Sequence, residues 1–524
     1  MKTGKALYCG LLALLMAFSA AGQAVERVYV ATDRNVYLAG ERIACSLFSL
    51  DAAGKRSGQS AVAYMELIGS DGTAVEAKAG LLDGRGGGFL TLPASIPTGN
   101  YRLVAYTATG SVSPSGSRII SVYNPFSLRR TGNTGIVESY APAVVNSADD
   151  PLLEVVPTHS GMRIRAAEAM SVCVSVFRAD SLMQAPLPSI REFMEAQETL
   201  PGGETEYDGE IIRGRVSGAA EGMLAYLSTS GSPADTYVST VDADGTLRFP
   251  TGNIYGDCEL VCEVVGGSAD SFIVFESPFL HPDAEPVPSL QLSPVQEHSL
   301  LERKKSLEKG VRVDTLMQLL PRRTELLPEG LDWNVYRLDE YNRFPTVREV
   351  IREILAEVRL VHTGGEYEIR LLSSDASNAR SISRDHILTM MDGVIVTDIN
   401  LLLRFDAMLL DRVEVAVSPF VIGRTPFEGL VNFVTKNNYV TSLAFPDRVR
   451  VVDFRGVSYP VALTTTANQD YYTRYWHPMI TLESGEEKEI AYSTRFESGE
   501  WYIHIEGISE NGAAVQIIKL IAKK

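Results

Sequence analysis

The side chains that invite chemistry in this 524-residue chain are its thiols, its imidazoles and a few short clusters. Cys45, Cys173, Cys258 and Cys262 follow the N-terminal segment. Cys258 and Cys262 lie in Tyr255 to Val265, a run that reads as a strand, so they are separated by about 13 Å, beyond disulfide reach. No paired C-x-x-C spacing is present, which argues against a thiolate zinc site. All four are expected as small buried residues. Seven histidines stand singly at 159, 281, 298, 362, 386, 477 and 504. Ser383, Asp385 and His386 are neighbours in sequence, but the members of a catalytic triad meet through the fold. Gly84 to Gly88 lacks the Lys-Ser/Thr and the helix of a phosphate loop, and is expected as a flexible hairpin. Asp242-Ala243-Asp244-Gly245 lacks the distal ligands of a calcium loop and reads as a turn. Glu486-Glu487 reads as a solvated acid pair, and a glycosidase needs two carboxylates across one cleft. There is no G-x-S-x-G, H-E-x-x-H or Walker motif. No catalytic residue, cofactor or metal ligand is nominated.

Compartment and size bound what such residues can serve. Lys2 and Lys5, an apolar run from Leu7 to Phe18 and the small residues Ser19 to Gly22 predict a signal peptide over 1–24. Cys9 precedes the end of that apolar run, so it does not suit lipidation. No later stretch reaches about 18 apolar residues, so the mature chain is expected to be peripheral to a membrane rather than spanning it. Loss of Lys2 and Lys5 takes 48 basic residues to 46 against 65 acidic ones, a net charge of −19. Such a surface repels nucleic acid and anionic lipid. Apolar residues make up 45%, as in folded chains, and the length predicts three to five domains.

The elements are mainly strands, so the expected fold class is mainly β: several β-sandwiches with one small α/β domain. In 25–125, short alternating runs separated by turn residues predict a sandwich. Val28-Tyr29-Val30, Thr32-Asp33-Arg34, Val36-Tyr37 and Gly40-Glu41, followed by Gly88-Phe89-Leu90 and Gly99-Asn100-Tyr101-Arg102-Leu103, resemble a macroglobulin-type domain. That resemblance implies a structural or protein-binding unit. A protease-trapping thioester would need glutamine three residues after a cysteine, and none of the four cysteines has it. Asn124 to Asp149 reads as a linker, and 150–200 as a second β-rich domain with a strand at Ser171 to Phe177. Over 205–280, Gly209 to Val216 and Asp242 to Phe249 are similar to the regulatory-like sandwich of carboxypeptidases. A helical connector over 285–328 is expected, with apolar Val313, Leu316, Leu319 and Leu320.

The 329–440 segment opens with a helix predicted from Thr346 to Val358, capped by the Thr346/Glu349 box. A second helix is predicted from Ile399 to Leu409, capped by Asp398. Met391-Asp392-Gly393-Val394, then Arg412-Val413-Glu414-Val415, then Gly429 to Thr435-Lys436 resemble, in that order, the plug domain of TonB-dependent outer-membrane receptors. The candidate motif is therefore Asp392, Gly393, Val413, Glu414, Val415, Gly429, Thr435 and Lys436. Only 88 residues follow Lys436, too few for a receptor barrel.

The tail, 441–524, is expected as a closing sandwich. Tyr475-Trp476-His477-Pro478 and Gly499-Glu500-Trp501-Tyr502 resemble the corresponding unit of bacteroidete macroglobulin-type proteins. The ending Ile518 to Lys524 resembles a type IX sorting domain, and an ordinary basic terminal strand explains it equally. Together these resemblances imply an exported, non-catalytic protein of the periplasm, outer membrane or cell surface. It would bind an outer-membrane or other envelope protein as a scaffold. The alternative is a surface glycan binder with Tyr471, Tyr472, Tyr475 and Trp476 as an aromatic platform, or a glycan-acting hydrolase.

Overall fold

The computed structural model describes residues 25–523 except 110–111, 140–147, 159, 180, 185–186, 188, 197, 199–202, 232–233, 268–270, 272, 309–315, 319–329, 373–385, 441–442, 465–471 and 493–498. The expected signal peptide with Cys9, His159, Val313, Leu319, Leu320, Ser383, Asp385 and Tyr471 lie outside the described residues. Strands dominate, and four β-rich bodies pack on one another. No described helix is long and apolar enough to cross a membrane.

The N-terminal body is a nine-stranded sheet, folded so that Val28, Ile43 and Leu47 share a core with Met65, Leu103 and Ile120. Its Gly84 to Gly88 run lies in a hairpin as expected, Gly72–Leu82 pairing antiparallel with Arg85–Thr91. Asp83 and Gly84, both at positive φ, form a two-residue turn, and Arg85–Thr91 is a regular strand. The glycines are there for close approach: a Cβ on Gly87 would lie 2.5 Å from the ring of Pro478.

The middle sandwich sets a three-stranded leaf (Thr246–Gly252, Glu210–Val216, Ile273–Phe275) against a four-stranded one. The second leaf runs Thr236–Thr240, Leu224–Thr229, Cys258–Val264, Arg450–Phe454. Its last strand was expected in the closing sandwich. Antiparallel pairing of Cys258 with Phe454 and Cys262 with Arg450 puts it here instead. Asp242 to Gly245 is the expected turn, with Gly245 N donating to Asp242 O at 2.9 Å.

The α/β unit is a five-stranded sheet ordered Trp333–Arg337, Leu410–Ala416, Gly429–Thr435, Ile387–Met391, Val394–Ile395. Strand alternation divides its residues between two faces. Val413, Val415, Val431 and Phe433 pack on helices Val347–Glu353 and Ile399–Arg404, whereas Leu388, Met390, Ala416 and Leu430 face the middle sandwich. The first helix stops earlier than its apolar face suggested, because strand Val358–Thr363 begins within the same hydrophobic run. Ile354, Leu355 and Val358 stay in that core without remaining helical. The second also shortens, with a 3-10 turn at Ala407–Leu409.

The largest departure from expectation joins segments 150–200 and 441–524, which the sequence suggests as separate domains. Met170–Arg178 lies between Thr473–Leu482 and Gly499–Ser509, and Gly161–Ala166 pairs with Glu487–Ala491. One body results, cored by Val172, Val174, Trp501 and Ile503. Among the described residues the expected helical connector is helical at Pro294–Gln296 and Glu297–Glu308, whereas Leu316–Gln318 is a strand on the edge of this same sheet.

Candidate functional site

Local geometry gathers much of the candidate motif into one polar network. Asp392 sits at φ 50° in the turn between Ile387–Met391 and Val394–Ile395. Its carboxylate accepts from Thr435 N and Thr435 Oγ1, each at 2.7 Å. Burial pushes the Asp392 carboxyl up from its ordinary range, and the Thr435 hydrogen bonds oppose that shift. Gly393 N donates to Asn432 Oδ1 at 3.1 Å, Asn432 Nδ2 donates to Glu414 Oε2 at 2.9 Å, and Arg412 Nε donates to Glu414 Oε1 at 2.7 Å. Glu414 and Asn432 lie on the face toward the middle sandwich, where a charge persists only if it is bonded in this way. Val413 and Val415 are core residues on the other face. Gly429 opens the strand that runs parallel to Ile387–Met391, and Lys436 is exposed just beyond its end. Asn432 was not singled out from sequence, although its place in the Val431 to Thr435 strand of apolar neighbours marks it as a polar residue needing a partner.

This network abuts a joint. Thr236 Oγ1 donates to Gly393 O at 3.1 Å, and Ile395 N donates to Ser228 Oγ at 3.2 Å. Glu263 of the middle sandwich accepts from Thr397 Oγ1 at 2.6 Å and from Arg448 Nε at 2.7 Å. Similar joints link the other bodies. Lys78 Nζ of the N-terminal body lies 2.7 Å from both carboxylate oxygens of Glu210 and 4.1 Å from the centroid of the Phe454 ring. Burial pulls Lys78 down and pushes Glu210 up, while their mutual attraction opposes both shifts.

Between the N-terminal and closing bodies, Arg118 Nη2 donates to Glu506 Oε2 and to Tyr29 Oη, each at 2.8 Å, and Tyr29 Oη donates to Glu506 Oε1 at 2.6 Å. Both charged side chains are fully buried. Burial alone would weaken the Arg118 cation; Tyr29 and Glu506 reverse that effect and raise its pKa. Asp33 joins the same pair of bodies, accepting from Tyr37 Oη and Ala44 N inside its own sheet and from Thr473 Oγ1 across the joint.

The aromatic platform is not an open surface. Trp476 is 1% exposed and packs at 5.4 Å against Phe89 of the N-terminal body, and Tyr475 is 7% exposed in the closing core. Tyr472 is half-buried, with the Arg303 guanidinium 3.8 Å from its ring centroid. Adjacent strand residues point to opposite faces, and here both faces of the sheet are covered. Of the cysteines, Cys45, Cys173 and Cys262 are buried, while Cys258 is only partly so. Burial pushes the Cys258 thiol up to about 11. Among the described residues no three His, Cys, Asp or Glu side chains cluster as metal ligands.

No protein-family model matches the chain, and no curated protein matches it. Among solved structures it is similar to the native conformation of E. coli alpha-2-macroglobulin at 9% identity, over 96% of this chain and 40% of that one, with a TM-score of 0.25. It is also similar to Salmonella alpha-2-macroglobulin reacted with methylamine, at 9% identity over 95% and 39%, with a TM-score of 0.25. A tetra-tandem repeat from the extending region of a large adhesion protein overlaps at 10% identity over 96% and 99%, with a TM-score of 0.13. The chain spans about 40% of the length of the first of these macroglobulins. At TM-scores this low, what the chain does has to be argued from its own geometry.

Proposed function

We propose that this chain is a non-catalytic scaffold of the cell envelope, exported to the periplasm or outer-membrane surface, that holds a partner protein through its plug-like α/β unit. The observation that carries this reading is where the buried charge lies. Arg118–Glu506, Lys78–Glu210 and Glu263 with Arg448 are all bonded to one another across or beside joints between bodies. Ion pairs of that kind hold the relative geometry of the bodies that they join. A body that presents separate modules at set positions suits binding more than turnover. The α/β unit contributes exposed features to such a surface: hairpin Phe420–Ile422/Thr425–Phe427 with Val421 outward, and edge strand Trp333–Arg337 with Val335 outward.

Glycan stacking lacks support from the burial of Tyr475 and Trp476. The scaffold reading is tested by affinity capture of the full chain from native envelope after mild cross-linking. Selective recovery of an outer-membrane barrel or secretion component is expected, and deletion of 330–447 should remove it. Recovery of nothing above background, or undiminished recovery by the deletion variant, overturns the proposal.

A further inference from the structure

The two leaves of the middle sandwich are unequal, and the extra strand of the larger leaf, Arg450–Phe454, forms its edge. Which backbone groups face outward from that edge follows from the neighbouring strand. Ser230 N donates to Glu259 O at 2.8 Å, and Glu259 N donates to Ser230 Oγ at 3.2 Å. Both main-chain groups of Glu259 are therefore turned toward the Leu224–Thr229 side. Glu259 stands opposite Asp453, so that pair is the non-hydrogen-bonded kind. The N–H and C=O of Asp453, and of Val451 two residues earlier, thus point away from the sheet. No strand pairs with this edge among the described residues, and Val451 is 40% exposed.

Beside the edge is a cavity of about 870 Å³, with Leu260, Phe275, Phe279, Val452 and Phe454 in its wall. Six acidic residues line it against three basic ones, and of the acids Glu210, Glu76 and Glu276 are already ion-paired with Lys78, Arg455 and Arg215. One lysine already uses it: the Lys78 ammonium binds Glu210 and lies over the Phe454 ring. We propose that this edge and cavity take an extended, basic segment of a partner protein. The segment would add one strand beyond Arg450–Phe454, bonded through Val451 and Asp453, and would direct alternate lysine side chains into the acidic cavity. The inference rests on the scaffold reading only in assigning the segment to another protein.

The test uses the full chain and fluorescein-labelled peptides of about ten residues, alternating Lys with Val or Glu with Val, followed by fluorescence anisotropy. The basic peptide should bind at least about tenfold more tightly than the acidic one, and N-methylation of its alternate amides should abolish binding. Asp453→Pro removes an outward N–H without touching a bond to Cys258–Val264, and should weaken binding about tenfold with unchanged circular dichroism. Asp453→Asn, which keeps the N–H, should stay within about threefold of the parent. Equal binding of both peptides, full binding of the N-methylated peptide, or parental affinity in Asp453→Pro each overturns the site. A dimer in sedimentation velocity that Asp453→Pro disperses makes a second copy the occupant and also overturns it. Failed peptide binding with intact envelope capture removes this site and leaves the scaffold reading standing.

Discussion

Glu506 accepts from Arg118 and Tyr29 in a region that water does not reach. Glu506→Gln leaves the guanidinium buried and uncompensated, and should cost about 3–5 kcal/mol in urea unfolding. Adding Arg118→Met should recover part of that loss, because the stranded charge is then gone. His477 sets a pH dependence of defined sign. Burial first, and Lys488 second, lower its pKa from 6.5 to about 4. The unfolded chain therefore takes up this proton more readily, and stability is lost as pH falls from about 6.5 to about 4. Buried His504 is shifted in the same direction by desolvation. In thermal melts, His477→Gln should match the parent above pH 7 and become progressively the more stable of the two, relative to that baseline, through the window. Tests at this scale were open to sequence reading only in part. A buried arginine is visible as a residue type, but its partner lies 388 positions away.

At the scale of elements, turns and caps were readable because their causes are local. Thr346 accepts from Glu349 N as the capping box predicts, and Asp398 accepts from Asn400 N at its helix start. Asp392-Gly393 reverses the chain because both residues take positive φ. Gly393 has a second role that no local pattern reveals: its Cβ would lie 2.6 Å from Ala234 Cβ of the middle sandwich. Gly393→Ala should therefore both strain the turn and separate the two units, destabilising the protein by about 1–3 kcal/mol. Hydrogen exchange should speed up in Ile387–Met391 and also in Leu224–Thr229, and acceleration confined to the first strand would show that the joint is unaffected. Helix lengths were overestimated for a physical reason. An apolar stripe continues through Ile354, Leu355 and Val358 whether the backbone is helical or extended, since each feeds the same core.

Over the whole molecule, the tail completes bodies begun hundreds of residues earlier. Val457–Ser458 pairs with the N-terminal sheet, Arg450–Phe454 with the middle sandwich, and Thr473–Leu482 and Gly499–Ser509 flank Met170–Arg178. A chain ending at residue 464 should leave Met170–Arg178 without either neighbour. Limited proteolysis should then cut within 150–180, and co-expression of 465–524 should restore protection. Cutting that stays at the parental rate in the truncated chain would contradict this dependence.

Strand-rich class, turns, helix caps and net acidity were all legible in the sequence, because each depends on periodicity or chemistry within a few residues. The sequence also showed Tyr475 and Trp476 as adjacent aromatics. It could not tell a platform from a core, since that depends on whether Phe89 and the closing core cover the two faces. What needed the tertiary structure is that Met170–Arg178, Thr473–Leu482 and Gly499–Ser509 form one body, that Glu414 and Asn432 share a network, and that the outward amides of Val451 and Asp453 flank an acidic cavity. Strand partnership is a long-range choice among many compatible edges, made by complementary burial and backbone bonding and written in no single segment.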